Sequence, residues 1–245
     1  MRNIWTIAKR EYTNYFNGPL AYLLILVIFI IIGSVFAYFV WSTTSNAFFA
    51  QPIDPTFASN WWPIILFFCI PALTMRLIAD ESRTGTLELL LTAPIRDWEL
   101  VIGKWLGSFL FMLTAIIFTL IFPILINGMT DPGIDIVRTA SSYFGLILIV
   151  ASLLGIGVGI SALFTNQFAA FFATFGAVFF IWVLIGIPDY VLPGGAKVFA
   201  YLNMSSHYQA FNTGNLNLVD IIYFVSVTAL GLFIANIAIE YRRWQ

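Results

Sequence analysis

The chain contains 245 residues, of which 60% are hydrophobic and only 9% are charged. Soluble domains carry about 25% charged residues, so 11 Lys and Arg with 12 Asp and Glu cannot cover a water-facing surface of this size. This composition argues against a soluble enzyme and a disordered chain, and a net charge of −1 argues against a nucleic-acid partner. The single cysteine, Cys69, excludes an internal disulfide and a cysteine-rich metal site.

The first predicted element is an amphipathic helix over residues 2–17. Apolar and aromatic residues recur near helical spacing from Ile4 to Tyr15, and charged residues lie between them. This pattern is typical of a helix that lies in the membrane interface, after which Gly18-Pro19 would turn the chain into the membrane. A frayed basic tail that only sets the topology is the alternative.

Six stretches are apolar and long enough to cross a bilayer, which requires roughly 20 mostly apolar residues. We expect spans at about 20–41, 61–78, 105–126, 142–164, 168–187 and 219–239. The predicted fold is therefore an all-α polytopic membrane protein with a single transmembrane domain over residues 1–245. With six spans, only Arg138 and Lys197 lie on one side, and the remaining Lys and Arg predict that both termini are cytoplasmic.

The centres of the predicted spans contain no ionisable side chain. Because intramembrane ionisable groups usually mark ion or proton pathways, this absence disfavours a proton-coupled transporter. Arg76 and Asp80 lie one turn apart near the cytoplasmic end of the second span, where they can form an ion pair with each other.

Small residues and prolines predict where the spans pack or bend. Gly155 and Gly159 form a small-residue ridge on the fourth span, which permits close packing of another helix of the same chain. Pro63, Pro71 and Pro123 are expected to kink the second and third spans.

Two enzyme motifs can be tested directly and fail. Gly159-Ile160-Ser161 partly matches the serine motif of six-helix rhomboid proteases, but Ala162 follows it and the single histidine, His207, lies in a loop. The sequence also contains no Gly-x-x-x-x-Gly-Lys-Ser/Thr phosphate-binding loop. If transport is driven by ATP, the motor is another polypeptide.

The cytoplasmic loop between the second and third spans concentrates charge, since eight charged residues lie between Asp80 and Lys104. Gly85 predicts the end of the helix that leaves the membrane, and Thr86 can cap a new short helix with Glu88 in its first turn. Pro94 would end that helix. Its apolar face consists of Leu87, Leu90 and Leu91. This face either dips into lipid headgroups or docks into a groove of a soluble partner.

The same region resembles the ABC-2 family of ABC-exporter permeases, and within it the gliding-motility-associated (GldF-like) subgroup. The resemblance is carried by Ile70-Pro-Ala-Leu-Thr-Met-Arg76, Asp80-Glu81, Gly103-Lys104 and, most specifically, Gly85-Thr-Leu-Glu-Leu-Leu-Leu-Thr-Ala-Pro94. It implies a coupling helix between the second and third spans that contacts an ATP-binding subunit. The implied contact residues are Glu81, Gly85, Thr86, Leu87, Glu88, Leu90, Leu91 and Pro94.

Further expectations follow from this resemblance. It implies a non-catalytic, multi-pass subunit of the bacterial cytoplasmic membrane that works with two ATP-binding subunits and a second permease, identical or related. This chain would bind no cofactor, and ATP and magnesium would lie on the ATPase partner. A membrane anchor for a soluble assembly, with no transport, is the alternative that the charge-free spans also permit.

The outer segment between the fifth and sixth spans is too apolar for a free loop. The resemblance implies short re-entrant helices here that help to close an outer gate, with Tyr201, Leu202, His207 and Phe211 among their residues. We expect His207 to be a hydrogen-bonding surface residue and not a metal ligand, because the chain has no second histidine.

Overall fold

The computed structural model describes residues 2–45, 56–85, 95–131, 133–183 and 201–243, and the regular structure in these ranges is α-helical throughout. The helices are α1 (Arg2–Asn17), α2 (Pro19–Ser45), α3 (Phe57–Thr74), α4 (Ala79–Thr84), α5 (Asp97–Thr119), α6 (Ile121–Met129), α7 (Ile136–Leu163), α8 (Gln167–Trp182), α9 (Met204–Asn212) and α10 (Leu218–Arg243). The predicted all-α class is confirmed over these ranges.

Five segments are long and apolar enough to cross a membrane: Ala21–Ser42, Ala58–Thr84, Asp97–Met129, Ile136–Leu163 and Leu218–Arg242. They correspond to five of the six predicted spans. The remaining apolar helix, α8, has 16 residues, which is short of the roughly 20 residues that a perpendicular span requires. The count of six spans therefore stays a prediction.

The long helices run in alternating directions between two ends of the bundle. At one end, which we call the terminal end, Lys104 near the start of α5 bonds to Glu11 of α1, and Arg242 near the end of α10 bonds to Ser82 of α4. At the other end, the far end, the starts of α3 and α7 meet through the hydroxyls of Ser59 and Ser142. Thus α2, α5 and α8 leave the terminal end, and α3, α7 and α10 return to it.

Helix α1 has the predicted bounds and packs directly against α5. A Cβ added to Gly103 would lie 2.7 Å from the Cβ of Ile7, and a Cβ added to Gly107 would lie 2.6 Å from the Cβ of Glu11. Real side chains do not approach this closely, so the two glycines allow α1 to cross α5 in contact with its backbone. Residues 2–17 form one continuous helix, and its position in the membrane interface stays a prediction.

The predicted glycine ridge on α7 packs against α10. A Cβ placed on Gly231 of α10 would lie 2.4 Å from the carbonyl carbon of Gly155, and one placed on Gly159 would lie 2.7 Å from the oxygen of Gly231. The interface therefore consists of backbone against backbone, as small-residue ridges permit. The expectation that this ridge packs within the chain is confirmed.

Two of the predicted proline sites free a carbonyl that a tyrosine then satisfies. A proline inside a helix lacks the N–H that would bond to the carbonyl four residues earlier. Pro63 frees the Ser59 carbonyl in this way, and the Tyr208 hydroxyl donates to it at 2.6 Å. Pro123 lies just after the break between α5 and α6, and the Tyr143 hydroxyl donates to the Thr119 carbonyl at 3.1 Å.

Candidate functional site

Helix α4 contains Glu81, where the predicted coupling segment of about Glu81 to Pro94 begins, and it immediately precedes residues 86–94 of that segment. Its first turn is held by Ser161 of α7, whose Oγ accepts hydrogen bonds from the backbone N–H groups of Ile78 at 3.3 Å and Ala79 at 3.2 Å. The helix ends at Gly85, which has a φ of +73°. This left-handed conformation favours glycine, so the predicted helix end at Gly85 is confirmed.

A buried ionic cluster ties α4 to α1 and α5. The Nζ of Lys104 donates to Glu81 Oε1 at 2.7 Å and to Glu11 Oε1 at 3.1 Å. The Lys104 side chain is only 1% exposed, against 12% for Glu11 and 18% for Glu81. Because a buried ammonium is costly unless it is paired and hydrogen-bonded, the two carboxylates are what allow Lys104 to occupy this position.

Arg10 completes the charge balance of the cluster from the solvent side. Its Nη2 lies 3.5 Å from Glu11 and 3.8 Å from Glu81, and its side chain remains 52% exposed. Two cations thus face two carboxylates. The exposed arginine contributes little by itself, whereas the enclosed Lys104 is the centre on which α1, α4 and α5 converge.

Two further polar contacts join α4 to α8 and α10. Asp80 accepts hydrogen bonds from Arg83 at 3.0 Å and from Gln167 at the start of α8. Ser82 accepts a hydrogen bond from Arg242 near the end of α10. Together with Ser161 and Lys104, these contacts connect a helix of six residues to five other helices.

The expected ion pair between Arg76 and Asp80 is wrong. The spacing of four residues brings two side chains together only on a continuous helix. Here α3 ends at Thr74 and α4 begins at Ala79, so the turn between them separates Arg76 from Asp80. Asp80 is bound by Arg83 and Gln167 instead.

Tyr15 adds a link between α1, α3 and α5. Its hydroxyl lies 3.0 Å from Ser108 Oγ and donates to the Leu73 carbonyl at 3.4 Å. Burial raises the pKa of the Tyr15 phenol. The terminal end of the bundle is thus connected by polar contacts as well as by apolar packing.

Among the predicted contact residues, Glu81 and Gly85 belong to this arrangement. Thr86, Leu87, Glu88, Leu90, Leu91 and Pro94 lie outside the described residues. The predicted coupling helix is therefore a prediction, and what the structure describes is the base from which it would extend. The sequence interpretation missed Lys104, Glu11 and Ser161 as parts of this base.

The predicted outer-gate residues lie at the far end. His207 is only 8% exposed, because the rings of Tyr201 and Tyr223 pack on it, the latter stacked at 4.2 Å. Its Nδ1 lies 2.5 Å from Asp220 Oδ1 and its Nε2 lies 2.8 Å from the Tyr201 carbonyl. The expectation of a surface histidine is wrong, since hydrogen bonds on both ring nitrogens permit its burial.

The other far-end residues divide between packing and exposure. Phe211 of α9 is fully buried. A Cβ added to Gly145 of α7 would lie 2.5 Å from the Cβ of Phe211. Tyr201 and Leu202 are exposed, although the Leu202 carbonyl accepts a hydrogen bond from Tyr223 at 2.8 Å. Within the described ranges, no group of three or more His, Cys, Asp or Glu could hold a metal ion.

A polar cluster that the sequence did not indicate fixes α9 to α3 and α7. Asn212 Oδ1 accepts hydrogen bonds from Ser59 at 3.1 Å and Ser142 at 2.5 Å, and its Nδ2 donates to Asn60 Oδ1 at 2.8 Å. The side chains of Ser59 and Ser142 are fully buried, and Asn212 is 3% exposed. This cluster and Tyr208 hold the far-end segment against the bundle.

The fold and the two polar ends define the chain as a helical membrane protein with several helices capable of spanning a bilayer. A family model described as "ABC-2 family transporter protein" matches residues 5–240. Because that match covers most of the chain, the protein belongs to the ABC-2 transporter family. Members of this family are generally non-catalytic transmembrane components that associate with an ATP-binding subunit. No curated protein matches the sequence.

Proposed function

We propose that this chain is the transmembrane permease subunit of an ATP-driven exporter in the bacterial cytoplasmic membrane, with both termini cytoplasmic. Two copies of a separate ATP-binding subunit carry ATP and magnesium, and a second permease, identical or related, completes the path. This chain binds no cofactor and supplies no catalytic residue. Family membership over residues 5–240 supports the general assignment.

One observation carries the coupling part of the proposal, namely the number of helices bound to α4. Any partner that moves residues 86–94 pulls on α4, which contacts α1 and α5 through Lys104, α7 through Ser161, and α8 and α10 through Asp80 and Ser82. Breaking a buried ion pair by removing one partner costs about 3–5 kcal/mol. When α4 moves, we therefore expect the helices bound to it to move with it, because breaking their contacts with α4 is unfavourable.

ATP acts through this connection by shifting the populations of bundle conformations. Closure of the two ATP-binding subunits moves the loop between the second and third spans in each of the two permeases. The bundle conformation that accommodates the moved α4 then becomes favoured. No ionisable group in the span centres is needed for this mechanism. The anchor alternative has the same loop and the same partner, but ATP would then leave the far end unchanged.

The contact with the ATP-binding subunit can be tested by co-purification with an ABC ATP-binding subunit that is co-expressed with this chain. Glu88→Lys and Leu90→Asp are expected to abolish co-purification and to leave the permease inserted, because the first reverses a charge of the predicted contact segment and the second places a charge on its apolar face. Leu202→Asp is the matched control at the far end, where the native leucine is exposed. Wild-type levels of ATP-binding protein with both loop variants would contradict the contact role.

Coupling requires a separate test, which uses an environment-sensitive fluorophore on Leu202→Cys in the assembled complex. The native Cys69 is buried and does not compete for the label. We expect ATP and Mg²⁺ to change the fluorescence, and Glu81→Gln to reduce the change per bound ATP-binding subunit by at least half. Glu240→Gln is the control, because Glu240 is exposed at the same end. No ATP response in the unmodified complex would favour the anchor.

The subgroup and the direction of transport are parts of the same proposal. The run from Gly85 to Pro94 supports a place among gliding-motility-associated permeases, and export follows from that similarity. For an exporter, we expect externally added ATP to drive accumulation of the transported substrate in inside-out vesicles and not in right-side-out vesicles.

A further inference from the structure

A cavity of about 390 Å³ opens at the terminal end, between α1, the first turns of α2 and the end of α3. Its polar rim is formed by Asn14 and Arg76, and its apolar wall includes Pro19, Leu23 and Leu77. The volume lies in the range of small-ligand sites, in which a few polar groups orient an otherwise apolar ligand. Glu11, which bonds to Lys104 in the ionic cluster, also lines the cavity, whereas Asn14 and Arg76 take no part in the contacts that hold α4.

The cavity has a cation and a carboxylate in its lining, and they differ in their partners. Among the described residues, Arg76 has no ion-pair or hydrogen-bond partner, since Asp80 is bound by Arg83 and Gln167. The carboxylate that lines the cavity, Glu11, is already bonded to Lys104 at 3.1 Å.

The amide of Asn14 also has no hydrogen-bond partner within the described ranges. The cavity thus presents a guanidinium and an amide donor, and its carboxylate is compensated by Lys104. This combination is complementary to an anion, and above all to phosphate, which a guanidinium can bind through two parallel hydrogen bonds.

The apolar wall indicates that the anion is attached to an apolar chain. Pro19 begins α2 one residue before the first predicted span, and Arg76 lies near the end of the second, so the rim lies where the predicted spans meet the interface. From the rim, the wall continues along α2 to Leu23, which is 60% exposed. A free anion would leave this apolar surface uncovered, whereas an amphiphile would cover it.

We propose that this cavity binds an anionic phospholipid, with the phosphate on Arg76 and Asn14 and the start of an acyl chain along Pro19 and Leu23. The bound lipid fills the space between α1, α2 and α3 and neutralises Arg76. This site does not depend on an ATP-binding partner, so it stands even if the proposed coupling role fails.

The test uses the full chain purified in detergent and native mass spectrometry with titrated phosphatidylglycerol. We expect one saturable adduct, with affinity roughly tenfold lower in Arg76→Gln and partly retained in Arg76→Lys. Arg2→Gln is the matched control, because Arg2 is exposed at the same end and lies outside the cavity. Asn14→Leu, at an exposed position, provides a second variant and should also weaken the adduct.

Two results would overturn the proposal. Equal affinity for phosphatidylglycerol in Arg76→Gln and Arg2→Gln would show that the lipid is not held in this cavity. Displacement of the lipid by millimolar inorganic phosphate would identify a free anion as the ligand and refute the lipid assignment. Retention of the adduct in excess phosphate, together with its loss in Arg76→Gln, is the supporting outcome.

Discussion

Replacement of Lys104 by methionine removes the cation on which α1, α4 and α5 converge. Methionine approximates the length of the lysine stem, so the change removes charge with little change in packed volume. The carboxylates of Glu11 and Glu81, which both lie within 3.1 Å of the Lys104 Nζ, would then face each other without that ion. Arg10 remains nearby, but it is half exposed.

The structure sets the size of the effect. Removal of one partner from a buried ion pair costs about 3–5 kcal/mol, and the partial exposure of the two carboxylates places this site at the lower limit. A loss of about 3 kcal/mol corresponds to a fall in Tm of roughly 6–12 °C for a chain of this length. Glu81→Gln should cost less, about 1–2 kcal/mol, because Lys104 keeps Glu11.

Thermal unfolding in detergent, followed by tryptophan fluorescence, measures these differences. Lys9→Met is the control, since Lys9 is exposed on α1 and should change stability by no more than about 0.5 kcal/mol. The double variant Lys104→Met/Glu81→Gln should be more stable than Lys104→Met, because it removes one of the two opposed carboxylates. A Tm of Lys104→Met equal to that of Lys9→Met would refute the reasoning.

Three other predictions concern the packing of the bundle. Gly231→Ala should destabilise the protein by about 1–3 kcal/mol through overpacking of two backbones, whereas Gly176→Ala, with no atom within 4 Å of its added Cβ, should not lower the Tm. Tyr208→Phe should cost about 1–3 kcal/mol because it leaves a buried carbonyl unpaired, and Tyr241→Phe, at an exposed position, should be neutral in the same melt. Cys69, only 3% exposed, should react with maleimide after denaturation and not before; labelling of the folded protein would contradict the described packing.

The helices could be predicted because long apolar runs specify them locally. The bounds of α1 were predicted correctly, since Gly18-Pro19 interrupts the helical pattern after Asn17. The third predicted span starts at residue 105, and α5, the helix that leads into it, begins at Asp97. Hydropathy limits the predicted span to residues after Lys104, and it does not show that Glu99 and Lys104, in the part of α5 before the span, have partners on α1.

The pairings at the terminal end could not be read from the sequence. Glu11 and Lys104 are 93 residues apart, and without the fold Lys104 only contributes to the charge bias that sets topology. The glycines that bring α1 against α5 were a local signal that the interpretation did not use, since Gly103 and Gly107 are spaced by one turn. In the sequence, Ser161 stands out only through its partial match to a serine-protease motif, and its role as a cap for α4 depends on the position of another helix.

The most direct test of the coupling role is photo-crosslinking of the complex from a single position. A photoreactive amino acid replaces Leu90 in the predicted coupling segment, and in a matched protein it replaces Leu202 at the far end. The account predicts a covalent adduct with the co-expressed ATP-binding protein from position 90 and none from position 202. Absence of an adduct from position 90 in correctly inserted protein, or an adduct from position 202, would contradict it.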